Sequence, residues 1–174
     1  MVVATDVEGY RAYVTGRLPA LRRVAYLLCG DWHTADDVLS AALVRLLLHW
    51  PKVAAAENVD GYVRRVLVRT MLNERRRPWR RERPLDVMPE PPPAVGGGTG
   101  SDAVDERVSL LALFDELPPR RRAVVVLRYC CDLSVEETAR ELGCSTGTVK
   151  SQAARALDTL RERMTVQEES PWTS

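Results

Sequence analysis

The chain of 174 residues is 45% hydrophobic and carries 25 Lys and Arg against 24 Asp and Glu. That length and apolar content suit one domain or two small ones with real cores and exclude a wholly disordered tail. The net charge of +1 excludes a crude polycation that coats any nucleic acid. The first ten residues hold Asp6 and Glu8 and no base, and the apolar runs are short. Neither a secretory signal peptide nor a membrane-spanning helix of about 20 apolar residues is therefore expected.

In chain order, Val14, Leu18, Leu21, Ala25 and Leu28 advance by alternating steps of four and three, which places them on one helical face. Gly30 should end that helix. Thr34, with Asp37 three residues on, is the expected N-cap of a second helix through Leu46 to Leu48, with His49 at its end and Pro51 terminating it. Cys29 and His33 are four apart, but Gly30 and Asp31 between them read as a turn and no second pair follows, so no metal site is expected. Cys130 and Cys131 are adjacent and Cys144 stands alone, which points to reduced thiols. A third helix should run from about Asn58 to Arg77 and stop before Pro78. Its apolar side is Val63, Val66, Leu67, Thr70 and Met71, while Arg65, Arg69 and Arg76 share another face. The front region, residues 1 to 83, should be a bundle of three or four helices.

Residues 84 to 101 hold five prolines and four glycines, a composition that neither continues a helix nor packs a core. A flexible linker over 84 to 103 is expected. The charge divides around it: residues 1 to 83 sum to +6 and residues 84 to 107 to −4. Behind it, Val104 to Glu116 reads as a helix and Pro118-Pro119 as the start of the next. Ser134-Val-Glu-Glu137 is a capping box opening a short helix that ends at Leu142-Gly143. Ser145 should then cap a last helix with Val149, Ala153, Ala156 and Leu160 inward. No strand signal is present. The fold expected is all-α, two small helical domains over 1 to 83 and 104 to 164, with a tail from 165 to 174.

Ser134 to Leu157 has a capped short helix, a glycine turn and a second helix with small residues inward, the pattern of a helix-turn-helix. Its early outward side chains, Thr148, Lys150, Ser151, Gln152 and Arg155, would then reach base edges in a major groove. Pattern alone also admits a helical hairpin with a solvated polar face. A second signal is the stretch Arg64 to Arg83, with nine arginines against Glu74 and Glu82. It forms a phosphate-attracting surface, and Tyr62 and Trp79 near its ends can stack on unpaired bases. A solvated arginine-rich helix end explains the same residues.

The run LPPRRRAVVVLRYCCDLSVEETARELGCSTGTVKSQAARALDTLRERM resembles region 4 of the extracytoplasmic-function sigma factors, the promoter-recognition subunits of bacterial RNA polymerase. In front, ADDVLSAALVRL (Ala35 to Leu46) is similar to the family's clamp-binding helix and YVRRVLVRTMLNERRR (Tyr62 to Arg77) to its −10-element helix. The resemblance implies a polymerase contact through Asp36, Asp37, Leu39, Ser40 and Leu43 to the β′ clamp helices, with region 4 on the β flap. It implies −35 reading by Thr148, Lys150, Ser151, Gln152 and Arg155. For the −10 element and its backbone it implies Tyr62, Arg64, Arg65, Arg69, Asn73, Arg75, Arg76, Arg77 and Trp79. Ser40 and Ala41 stand where the family usually has Gln and Glu, Arg69 where it commonly has Asn, and Gln152 and Ala154 where larger or more basic residues are usual. An anti-sigma factor is a further implied partner, and the implied location is the cytoplasm, at the nucleoid within holoenzyme.

No Gly-rich phosphate loop, GxSxG or paired-carboxylate pattern supports an enzyme, and no cofactor is expected. The alternatives are a stand-alone helix-turn-helix regulator and a protein-interaction module whose helix-turn-helix is vestigial. Twenty linker residues reach at most about 66 to 72 Å but average roughly 25 Å as a coil. Two DNA turns span roughly 70 Å, so a scaffold such as core polymerase is expected to set the spacing of the two halves.

Overall fold

Asp6 opens the first helix by accepting from the Gly9 N–H at 2.8 Å in the computed structural model, which describes residues 6–74 and 112–168. This helix, α1 (Val7–Cys29), buries Leu21, Ala25, Leu28 and Cys29; Leu18, expected on that face, is exposed. It ends at Gly30, whose φ of 91° lies in the left-handed region that glycine adopts without a Cβ penalty. A side chain at Gly30 would also overlap Asp115 and Arg122 from the rear of the chain.

Helix α2 (Trp32–Leu48) is capped by Asp31, not Thr34: the Asp31 carboxylate accepts from the Thr34 N–H at 2.7 Å. The cap thus lies three residues before the expected one, because Asp31 has the extended backbone an N-cap needs. Pro51 also differs from expectation. It sits in the first turn of a further short helix, α3 (Trp50–Ala54), where its missing N–H costs nothing. The Trp50 ring packs against Tyr10 and Tyr13 with centroids 5.6 and 5.4 Å away. Asn58 then accepts from the Gly61 N–H at 2.8 Å and starts α4 (Val59–Glu74), which buries Val63, Leu67, Val68, Thr70 and Met71. The buried Thr70 hydroxyl donates to Val66 O at 2.7 Å and accepts from Arg45 at 2.9 Å, so burial leaves it satisfied.

The expected linker and most of the Val104 to Glu116 helix lie outside the described residues; 112–115 are helical. Pro118 then caps α5 (Pro119–Val125), which continues without a break into a π turn, Val126–Cys130. The capping box holds as expected: Ser134 N–H donates to Glu137 at 2.8 Å and Glu137 N–H to the Ser134 hydroxyl at 3.1 Å. It opens α6 (Val135–Leu142), which Gly143 closes at φ 64°. Ser145 accepts from the Thr148 N–H at 3.1 Å at the start of α7 (Thr146–Glu168). Among the described residues every element is helical.

The two halves share a core. Ala123, Val126, Leu127 and Leu133 belong to the same buried cluster as Leu28, Leu46, Leu67 and Met71. Val124 packs with Ala139, Val149 and Ala153, and Val125 with Leu117 and Ala156. The run Ala123 to Leu127 is apolar on all sides because it is covered on all sides. Arg122, 2% exposed, crosses the junction: its Nε donates to Leu27 O and its Nη1 to Asp115, both at 2.6 Å.

Candidate nucleic-acid interface

Helix α7 presents a polar face. Val149, Ala153 and Ala156 are buried, so the helical period turns Lys150, Ser151 and Arg155 outward, and all three are exposed while Thr148 and Gln152 are half-buried. The Thr148 hydroxyl lies 2.9 Å from that of Ser145, and Ser151 donates to Thr148 O at 3.0 Å. The first turn of α7 is therefore held by its own hydroxyls, with the Lys150 amine and, further along the helix, the Arg155 guanidinium exposed beyond it.

Helix α4 is arranged differently. Tyr62, Arg64 and Arg65 are half-buried and Arg69 and Asn73 exposed. The cover is α6: Arg64 Nη2 and Nε donate to Glu141 Oε1 at 3.0 and 3.2 Å. Glu141 is 4% exposed. Burial pushes its carboxyl up, and the Arg64 and Arg65 guanidiniums pull it back. The Arg65 Nε is buried with no acceptor. Beside it a cleft of about 240 Å³ is lined by Asn58, Gly61, Tyr62 and Arg65 from one side and Glu137, Arg140 and Glu141 from the other. The acidic wall of this cleft is what sequence reasoning missed, because Glu141 lies 77 residues from Arg64. Arg75, Arg76, Arg77 and Trp79 lie outside the described residues.

The residues expected to meet polymerase differ in their exposure. Leu39 is 5% exposed and packs in the core, because it lies beside Val38 and Ala42 on the buried side of α2; its side chain is not offered to a partner here. Leu43 is half-buried and its carbonyl accepts from the Tyr10 hydroxyl at 3.0 Å. Asp36 is held in a two-pronged pair with Arg22 at 2.7 and 2.8 Å, and those hydrogen bonds keep its carboxyl below the usual range. Asp37 is half-buried and Ser40 exposed. Val44 and Leu48, 58% and 71% exposed, continue the stripe from Asp37 and Ser40 at helical spacing. The signal for them was present in the sequence, since an inward Leu39, Ala42 and Leu46 forces Val44 and Leu48 outward.

All four cysteines are thiols. Burial pushes Cys131 up to about 11, which disfavours the reactive thiolate. Among the described residues no group of three or more His, Cys, Asp or Glu could hold a metal ion, and no helix is long and apolar enough to cross a membrane.

Comparison with known proteins agrees with this geometry. Residues 14–81 match the sigma-70 region 2 model and residues 107–160 the sigma-70, region 4 model. An RNA polymerase sigma-E factor of Streptomyces avermitilis is 40% identical over 162 residues, covering 91% of this chain and 87% of its own. The ECF RNA polymerase sigma factor EcfG of Rhodopseudomonas palustris is 26% identical, covering 86% and 81%. Among solved structures, the fold is similar to the sigma factor RpoE in complex with the anti-sigma factor NepR from Bartonella quintana. The TM-score there is 0.70 at 22% identity, over 91% of this chain and 98% of that one.

Proposed function

Because the chain belongs to the extracytoplasmic-function sigma factors of the sigma-70 family, and is an alternative RNA polymerase sigma factor, we propose that its elements divide the work as follows. Residues 104–164 form the −35 reader, with Lys150, Ser151 and Arg155 on base edges and Thr148 and Gln152 beside them. Residues 1–83 form the −10 and polymerase-binding module, joined to it through 84–103. In that module Tyr62, Arg64, Arg65, Arg69 and Asn73, with Arg75, Arg76, Arg77 and Trp79 further on, hold the opened strand and its phosphates. Lifting a base from the stack costs a few kcal/mol, which arginine contacts and aromatic stacking offset.

The β′ clamp contact runs along Asp37, Ser40, Val44 and Leu48. Where the family usually has Gln and Glu, this chain relies on apolar contact, with Leu39 supporting the helix from within. A protein inhibitor of the anti-sigma type is a further partner, as it is for RpoE of Bartonella quintana. The protein acts in the cytoplasm, at the nucleoid when in holoenzyme, and carries no catalysis of its own. The observation that carries the reading is the capped α6–Gly143–α7 hairpin with its exposed Lys150, Ser151 and Arg155.

The test is transcription in vitro by sigma-free core polymerase over a promoter library, with and without the protein. Initiation at a defined promoter subset is expected. No initiation anywhere, while a control sigma factor works, would leave a stand-alone regulator or an interaction module in its place.

A further inference from the structure

Neither the proposed DNA surfaces nor the polymerase stripe uses the two adjacent thiols, Cys130 and Cys131. Cys130 is exposed and Cys131 half-buried, the latter packed against the front core. Their backbone is fixed from both sides. The Cys131 N–H donates to Val126 O at 2.9 Å and the Leu133 N–H to Leu127 O at 3.1 Å. Between these bonds Asp132 takes a φ of 54°, a left-handed conformation that few non-glycine residues adopt. The chain thus turns sharply just after the pair, and both Cα positions are set before any ligand arrives.

The spacing selects the ligand. Adjacent Cα atoms lie about 3.8 Å apart across a trans peptide, closer than the roughly 4.4 to 6.8 Å at which disulfides ordinarily form. A bridge with one atom inserted between the sulfurs is longer and escapes that strain. Zinc takes about four ligands, and among the described residues no group of three or more His, Cys, Asp or Glu is available to it. A soft centre satisfied by two thiols fits instead. A linear ion spreads its two sulfurs to opposite sides, whereas pyramidal trivalent arsenic draws them together, as neighbouring residues require.

We propose that Cys130 and Cys131 form a chelating site for trivalent arsenic, taken up as arsenous acid or a monosubstituted arsenical. The step balances without an oxidant. Two As–O bonds of As(OH)3 break and two S–As bonds form; both thiol protons leave with the displaced hydroxides as two waters, and arsenic stays trivalent with its third substituent retained. The bridge is made from neutral thiols and creates no charge, so the half-burial of Cys131 adds no cost of charge desolvation. The second S–As bond closes within one molecule, where the fixed backbone gives the second thiol a high effective concentration.

The experiment titrates the full reduced chain with arsenite and with phenylarsine oxide, reading intact mass under native conditions and the thiols left to react. One arsenic bound per chain with two thiols lost is expected, removed by a small dithiol but not by the same concentration of a monothiol. Cys130→Ser and Cys131→Ser should each weaken binding by about a hundredfold, while Cys144→Ala leaves it unchanged. Retained binding in either serine variant with helical content intact, or its loss in Cys144→Ala, overturns the proposal. So does capture only after unfolding in urea, since the folded backbone would then hold the thiols apart. Should Cys131→Ser unfold, the exposed Cys130→Ser decides alone. Binding of mercury(II) by the native pair, with neither arsenical bound, would overturn the choice of arsenic.

Discussion

Helices α4 and α7 both carry basic residues on the side away from the core, yet they meet solvent differently. On α7 the polar face is open, with Lys150, Ser151 and Arg155 exposed. On α4 Arg64 is paired with Glu141, while Arg69 and Asn73 are exposed. The difference does not come from either helix. It comes from α5 and the π turn, whose Val126 and Leu127 are buried in the front core and carry α6 onto α4. A helix's own periodicity says which face is polar; what covers that face is set by another part of the chain.

The largest expected effect breaks the open side. Lys150→Ala with Arg155→Ala removes the two proposed base-edge contacts, worth about 1 to 3 kcal/mol each. Transcription from −35-dependent promoters should fall by about tenfold or more, with the thermal melt unchanged, in assays on wild-type and scrambled −35 elements. Equal activity on both templates in the variant and in wild type would remove α7 from promoter reading. Next, Leu127→Ala tests what holds the shut side. Emptying a fully buried leucine site costs about 2 to 5 kcal/mol. Since Leu127 packs against front residues, differential scanning calorimetry should show one transition lowered as a whole. Two transitions, with only the later half destabilised, would show that the halves do not share a core in solution.

The smallest effect sharpens the comparison through acid. Asp36, hydrogen-bonded to Arg22, has its carboxyl lowered, so its contribution to stability is complete above the ordinary carboxylate range and is lost as pH falls through the lowered value. Glu141 has the opposite sign. Its carboxyl is raised by burial against the pull of Arg64 and Arg65, with Glu137 adding to the rise. Thermal melting from pH 7 downward should show stability fall as the lowered Asp36 range is reached, and Arg22→Gln should flatten only that last, most acidic part of the profile.

Much of this fold was legible in the sequence because it is written at short range. The capping box at Ser134 and Glu137, the Ser145 cap and the glycine stops at 30 and 143 are bonds between residues three to five apart. The errors at Thr34 and Pro51 were of about one turn: Thr34 donates to the cap instead of being it, and Pro51, expected to end α2, opens α3 instead. The polar face of α7 was legible from the inward Val149, Ala153 and Ala156. The covering of α4 was not: it depends on contacts such as Arg64–Glu141 and Arg122–Leu27, 77 and 95 residues apart. One clue was present all the same. Five consecutive apolar residues, Ala123 to Leu127, fit no single-sided helix and require neighbours all round.

The π turn bears on where the hairpin points. Cys131 N–H reaches back five residues to Val126 O at 2.9 Å, so this stretch accommodates one residue more than an α-helix of the same course would. Each residue in a helix advances the azimuth by roughly 100°, so that single surplus residue dials the orientation of everything after it. With one residue fewer, α6 and α7 would keep their mutual packing but swing round together, and Glu141 would face away from Arg64. The inserted residue is thus a rotational setting shared by two helices: it leaves the polar face of α7 exposed and turns Glu141 of α6 inward onto Arg64 in a single step.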